Sequence, residues 1–229
     1  MTAPAALLSW CELGEKRLSA VIRQLPDDGG DPTLLPGWDR AHLLAHLAGN
    51  ADALINLLRW ARTGVETPMY PSPEARDTQI AAALTLPPDE LRHHAAAAAV
   101  RLGDAMRQLP DAAWSASVRT AQGRTVPARE VPWMRCREVW VHAVDLAADV
   151  GFGDMPGEVL AALAGDVFAS WARRNQVPDV TVRAGGGAWG SGRVTVAGPL
   201  PAVTAWLTGR SAGTGLQASG PLPALPRWL

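Results

Sequence analysis

Residues 131–150 read VPWMRCREVWVHAVDLAADV, and this stretch decides how the rest of the chain is read. Pro132 suits the first turn of a helix, where a missing N–H leaves no bond unmade. Apolar side chains then crowd the segment: Trp133, Met134, Val139, Trp140, Val141, Val144 and Leu146. Against them Arg135, Glu138, His142, Asp145 and Asp149 form one polar stripe at spacings of three and four, the periodicity of a helix face. A helix that is apolar on most sides is enclosed by others, so its polar stripe meets water through a slot or lines an internal cavity. The helix is expected to run to Val150, with Gly151 and Gly153 ending it.

Working outward, three more segments carry helical periodicity. One runs from Ala5 to Gln24. A second starts at Asp39, a suitable N-cap, and runs through HLLAHLAGNADALINLLRWA to Arg62, with Gly64 as its stop. A third spans Pro88 to Gln108, opening on Pro88, Asp89 and Glu90 and continuing into an alanine run. Four such helices around one apolar core predict a helical bundle over residues 1–155. Its links are the turn cluster PDDGGDP (26–32), an extended or looped VETPMYPSP (65–73), and a mixed stretch from Asp111 to Val131 with turns at Gly123 and Pro127.

The composition changes after about residue 156. A helix over 158–174 is followed by two alternating runs, 180–183 and 193–196, with a glycine-rich link, GGGAWGSG, that reads as a hairpin loop. A short helix over 201–207 and an extended piece over 215–219 complete a small α/β domain at 156–229, and the Pro-rich tail PLPALPRWL is expected to lie extended on the surface. The predicted fold class is therefore α+β.

Bulk properties narrow the function. A chain of 229 residues, 48% apolar, can bury a core. Its formal charge is −1, with Lys16 as its single lysine and no basic block, which argues against nucleic acid and anionic membranes as partners. Cys11 and Cys136 form no CxxC pair, so no disulfide framework is implied and a reducing, cytoplasmic setting is expected. The first residues lack a basic n-region with a long apolar core, and no apolar run is long enough to span a membrane.

Glu138 and His142, four residues apart, can offer two metal ligands from one helix. The second helix offers His42 and His46, also four apart, with Asn50 continuing the row. Two imidazoles and a carboxylate suit zinc, and three protein ligands leave a coordination position open. The same spacing also serves as an ordinary exposed helix pair worth a few tenths of a kcal/mol. His93 and His94 read as surface residues. Cys136, between Arg135 and Arg137, reads as a small buried residue, with an activated nucleophile as the alternative.

Several runs together resemble a known family: LLPGWDRAHLLAHLAGNADAL, LLRWARTGVETPMYPSPEAR, TAQGRTVPA, WMRCREVWVHAVDL with FGDMP after it, and the closing PRWL. They are similar to the mycothiol-dependent maleylpyruvate isomerases, strongly over residues 34–157 and loosely beyond. The resemblance implies a DinB-like four-helix bundle followed by a small C-terminal domain of sterol-carrier-like fold. It implies a divalent metal, usually zinc, on His46, Glu138 and His142, with mycothiol as cosubstrate and maleylpyruvate as substrate in the gentisate branch of aromatic catabolism. It also places a functional arginine after the last helix, matched here by Arg210.

The implied chemistry is cis–trans isomerisation. A thiolate adding to the double bond makes it single, the bond rotates, and loss of the thiolate gives fumarylpyruvate. Arg76 and Arg210 are the expected carboxylate ligands, since guanidinium forks match carboxylates. Asp145 and Asn50 are expected behind the metal ligands, and Trp38 and Trp140 at the pocket wall, with core packing the alternative for each tryptophan. Two other functions fit the same residues: a mycothiol S-transferase acting on electrophiles, and a non-catalytic metal or small-molecule binding module. The expected assembly is a monomer or small homo-oligomer.

Overall fold

In the computed structural model, which describes residues 2–25, 30–72 and 74–228, helix formation follows the periodicity closely. The first unit, Met1–Asp149, contains α1 (Ala5–Gln24), α2 (Arg40–Thr63), α3 (Ala75–Ala83), α4 (Pro88–Arg107) and α5 (Val131–Asp145). Asp39 caps α2 by accepting from the His42 backbone N–H at 2.8 Å. Gly64 ends the helix in the left-handed region, at φ 72°. The Pro26–Gly29 part of the first turn cluster, Pro73 and Leu229 lie outside the described residues.

Helix α1 packs chiefly on α5, and α2 on α4. Gly14 makes the first contact close: a Cβ there would meet Val139 Cγ2 at 2.6 Å and Trp140 Nε1 at 2.8 Å. Trp140 instead donates from Nε1 to the Trp10 carbonyl at 3.0 Å. Arg135, only 1% exposed, crosses the core. Its Nε donates to Glu15 Oε1 at 2.7 Å, and its Nη1 donates to the Leu47 carbonyl at 2.8 Å and Asn50 Oδ1 at 2.9 Å.

Helix α5 stops at Asp145, five residues earlier than its sequence predicts. The carbonyls of its last turn find partners near the start of α2. Leu34 N–H donates to the Asp145 carbonyl at 2.9 Å, and Arg40 Nε donates to that of Leu146 at 3.1 Å. Ala147 then turns to a positive φ of 52°. Asp149 consequently leaves the helical stripe it was expected to share. The short helix α3 and a hairpin, β1 (Ser117–Arg119) with β2 (Thr125–Pro127), were not predicted. Ile80 is the one buried residue of α3, and the strands have three residues each, so neither element carries a measurable period.

The second unit, Val150–Leu229, holds α6 (Gly157–Arg173), β3 (Val180–Ala184), β4 (Gly187–Trp189), β5 (Val194–Ala197), α7 (Leu200–Leu207) and β6 (Gln217–Ala218). The sheet order is β4-β3-β5-β6. The two alternating runs, expected to form a hairpin, instead pair in parallel, Val180 with Val194 through Arg183 with Ala197. The glycine-rich link explains the difference. Gly185 and Gly186, both at positive φ, turn the chain into β4, which takes one edge of β3 antiparallel. The chain then crosses the start of β3 so tightly that a Cβ on Gly192 would lie 1.9 Å from the Val180 nitrogen. The tail is without regular structure and is pinned by Ser170 Oγ to the Trp228 carbonyl at 3.0 Å and Trp171 Nε1 to the Pro226 carbonyl at 3.1 Å.

Candidate metal centre

Two facing helices bring the three expected donors together. His46 lies in the second turn of α2, while Glu138 and His142 lie one turn apart on α5. One ligand-capable atom from each lies within 4.8 Å of the others. Glu138 Oε2 is 3.0 Å from His46 Nε2 and 3.1 Å from His142 Nε2. The two imidazoles meet edge to face, with ring centroids 5.1 Å apart. All three side chains are largely buried, from 11% to 14% exposed.

The electrostatics follow from that burial. Burial alone raises the Glu138 carboxyl pKa, but hydrogen bonds from His142 and His46 override it and hold the group well below the ordinary range. Burial lowers the His46 pKa, and Glu138 only partly offsets it. Burial pulls His142 down too, yet its bonds to Asp145 and Glu138 carry it above the usual histidine value. Asp145 is fully buried and receives His142 Nδ1 at 2.8 Å, the carboxylate backing that metal-bound imidazoles commonly have. Nδ1 of His46 faces Arg76 Nη2 at 3.4 Å instead.

The donor set fits a divalent cation. Ligands held about 2.0–2.2 Å from one tetrahedral ion lie roughly 3.3–3.6 Å apart, close to the spacing of the imidazole and carboxylate atoms. Three donors leave a further position for a ligand from outside. His42, the other imidazole of α2, is turned aside and pairs its Nδ1 with Asp39 at 2.8 Å.

The remaining expected residues divide. Trp38 is beside the triad, 5.5 Å from the His46 ring, with Arg76 over its face at 5.7 Å. Arg76 sits in the first turn of α3, a helix that begins just after the looped stretch expected over 65–73, and also pairs with Asp77 at 3.2 Å. Trp140 is in the core contact with α1, on the opposite side of α5 from Glu138 and His142, and does not face the triad. Asn50 holds buried Arg135. Arg210 belongs to the second unit, where its Nη1 donates to the Thr208 carbonyl at 2.7 Å.

Tyr70 is the residue that sequence reading missed. It is the chain's single tyrosine, and burial raises its pKa against the pull of the adjoining Arg76. Its position is fixed through Met69, whose carbonyl accepts from Asn56 Nδ2 at 3.3 Å and whose sulfur faces the Ala121 N–H at 3.2 Å. The one available signal was its place in the ETPMY run ahead of Arg76.

Fold and site together define the class: an α+β protein whose helical bundle carries a three-donor site formed by two facing helices. Residues 11–147 match the family described as mycothiol maleylpyruvate isomerase N-terminal domain. The chain belongs to the mycothiol-dependent maleylpyruvate isomerase family. It is similar over its whole length to a crystal structure of the mycothiol-dependent maleylpyruvate isomerase, at 41% identity, TM-score 0.92 and full coverage of both chains. A crystal structure of a histidine-to-alanine mutant of that enzyme gives the same figures. No curated protein matches the chain. Among the described residues, no helix is long and apolar enough to cross a membrane.

Proposed function

We propose that the chain is a cis–trans isomerase that converts maleylpyruvate to fumarylpyruvate with mycothiol as thiol cosubstrate, and that His46, Glu138 and His142 hold its divalent cation, zinc. The convergence of these three donors supports the reading, in a chain 41% identical to a mycothiol-dependent maleylpyruvate isomerase over its full length. When bound, a dipositive ion makes a neighbouring thiol a thiolate at neutral pH, where an ordinary thiol with a pKa of about 8.5 is mostly protonated.

The protein's own side chains do the rest. Asp145 fixes the His142 ring by holding Nδ1, so that Nε2, which faces Glu138 at 3.1 Å, would be the atom offered to a bound cation. Arg76, lying over Trp38 and beside Tyr70, is placed to receive a substrate carboxylate or the enolate oxygen that develops on thiolate addition. Arg210 is assigned the second carboxylate on the family resemblance. Neither protein thiol suits the nucleophile's role. Burial, with Glu15 nearby, pushes Cys11 to about 12, and burial pushes Cys136 higher still. The attacking sulfur therefore comes from outside and leaves unchanged after the bond has rotated. Two buried, reduced thiols fit a cytoplasmic protein.

The test is maleylpyruvate turnover by the purified protein with and without mycothiol, following loss of the cis-enol absorbance. Turnover that needs mycothiol and stops on metal chelation is expected. Turnover without any added thiol would contradict the mechanism, and a stable thioether product would identify an S-transferase.

A further inference from the structure

A cavity of about 750 Å³ lies between α1 and α4, and His46, Glu138 and His142 are not among its walls. It arises from side-chain size. Leu8, Cys11, Glu15, Leu18 and Ile22 line it from α1 at the three-and-four spacing of a packed helix face. Helix α4 answers at the same spacing, but its central positions are Ala95 and Ala99, with Ala96 and Gly103 beside them. Those residues are too small to close the gap, and α1 and α4 touch sparingly. The alanine run that favours the helix thus also leaves a space within the usual range for small-molecule sites, about 300–1,000 Å³.

The space is not uniformly apolar. Arg135 lines it while being 1% exposed overall. Its Nε and Nη1 are engaged by Glu15, Leu47 and Asn50, whereas Nη2 makes no hydrogen bond among the described residues. Nη2 carries two N–H donors, and a ligand oxygen in the cavity could accept from them. Charge points the same way. Lys16, Arg23, Arg92, Arg107 and Arg135 outnumber the acids Glu12, Glu15 and Asp89 around the cavity. The lined stretch of α1, Leu8 to Ile22, is about 21 Å long at 1.5 Å per residue, which suits an extended chain better than a compact ring system.

We infer that the α1–α4 cavity is a binding site for a medium-chain aliphatic carboxylic acid, with the carboxylate on Arg135 Nη2 and the chain laid along the alanine face of α4. The inference does not depend on the proposed isomerase activity. Such a ligand would stabilise the bundle by occupying its gap, by an amount that grows with the logarithm of its concentration over its dissociation constant.

The probe is decanoate, titrated calorimetrically and by thermal shift into the full-length protein, with decyltrimethylammonium as the cationic counterpart. Ala99→Trp fills the gap without touching Arg135 or the metal ligands, and its fold and basal turnover serve as controls. Saturable 1:1 binding of decanoate is expected, weakened at least tenfold by Ala99→Trp and at least tenfold weaker for the cationic amphiphile. Equal binding of the two amphiphiles, decanoate affinity unchanged in Ala99→Trp, or no binding by the wild-type protein would each overturn the assignment. So would a concentration-dependent dimer that Ala99→Trp abolishes in the absence of decanoate, since the occupant would then be a second copy of the chain.

Discussion

Asp145 Oδ2 lies 2.8 Å from His142 Nδ1, and Asp145 is fully buried. The contact ties a candidate ligand to the last residue of its own helix and raises the imidazole's proton affinity. Asp145→Asn keeps the shape and removes the charge. Metal affinity should fall roughly 10–100-fold, the usual effect of losing such a partner, with the fold intact. Chelator competition measures it, and an unchanged affinity would show that Asp145 does not support the ligand.

His142→Ala removes a donor outright. Stoichiometric metal content and thiol-dependent turnover should disappear together, as read by metal analysis and activity assay of one preparation. Full zinc occupancy in that variant would remove His142 from the ligand set.

Arg76 is 38% exposed at the side chain and lies over the Trp38 ring, beside Tyr70. Arg76→Ala should lower kcat/KM by roughly 10–100-fold, the cost of one charge-assisted hydrogen bond of about 1.5–3 kcal/mol. Tyr70→Phe should cost less, as it removes a neighbour of the guanidinium rather than the guanidinium. Equal effects from both variants would mean that Tyr70 meets the substrate itself.

The two cysteines give a chemical test of the external-thiol reading. Both are buried, and both thiols are shifted upward. A thiol-specific reagent at pH 8 should titrate neither in the native protein and both after denaturation. Cys136→Ser should retain turnover; a folded, metal-loaded but inactive variant would return the nucleophile to the protein.

Acid should unfold the metal-free protein through Glu138. Its folded pKa lies well below the ordinary 4.5, so its contribution is present above that value and is lost as pH falls through the folded pKa. His46, with a lowered pKa, adds acid sensitivity below 6.5. His142 acts oppositely: its contribution is full below 6.5 and fades as pH rises through its raised folded value. The melting temperature of the metal-free wild type should therefore drop more steeply below pH 4.5 than that of Glu138→Gln. Parallel curves would show that the carboxylate is not coupled to folding.

The sequence was legible where one regularity spanned several turns. Asp39 and Gly64 bracketed α2, and the i, i+4 pair on α5 placed Glu138 and His142 on one face. Legibility failed where distant partners decide. Nothing local to Asp145 reveals that Leu34 and Arg40 take the carbonyls at the helix end. Val180–Arg183 and Val194–Val196 alternate as strands do, but alternation carries no direction, and the crossover is set by a glycine pressed against Val180. Trp140 and Asn50 share helices with the ligands yet serve the core, because the side of the helix they occupy is fixed by Gly14 and Arg135.

The capping of α5 by the start of α2 also bears on how the protein is made. Arg40 reaches a carbonyl 106 residues further along, and His46 meets a carboxylate 92 residues further along. During synthesis the leading helices emerge first, so the early imidazole waits without its companions until the segment ending at Asp145 has left the ribosome. A cation arriving before then would find one donor of the three. Truncated nascent chains ending ahead of α5 should accordingly be metal-free, and loading should begin in step with closure of the bundle.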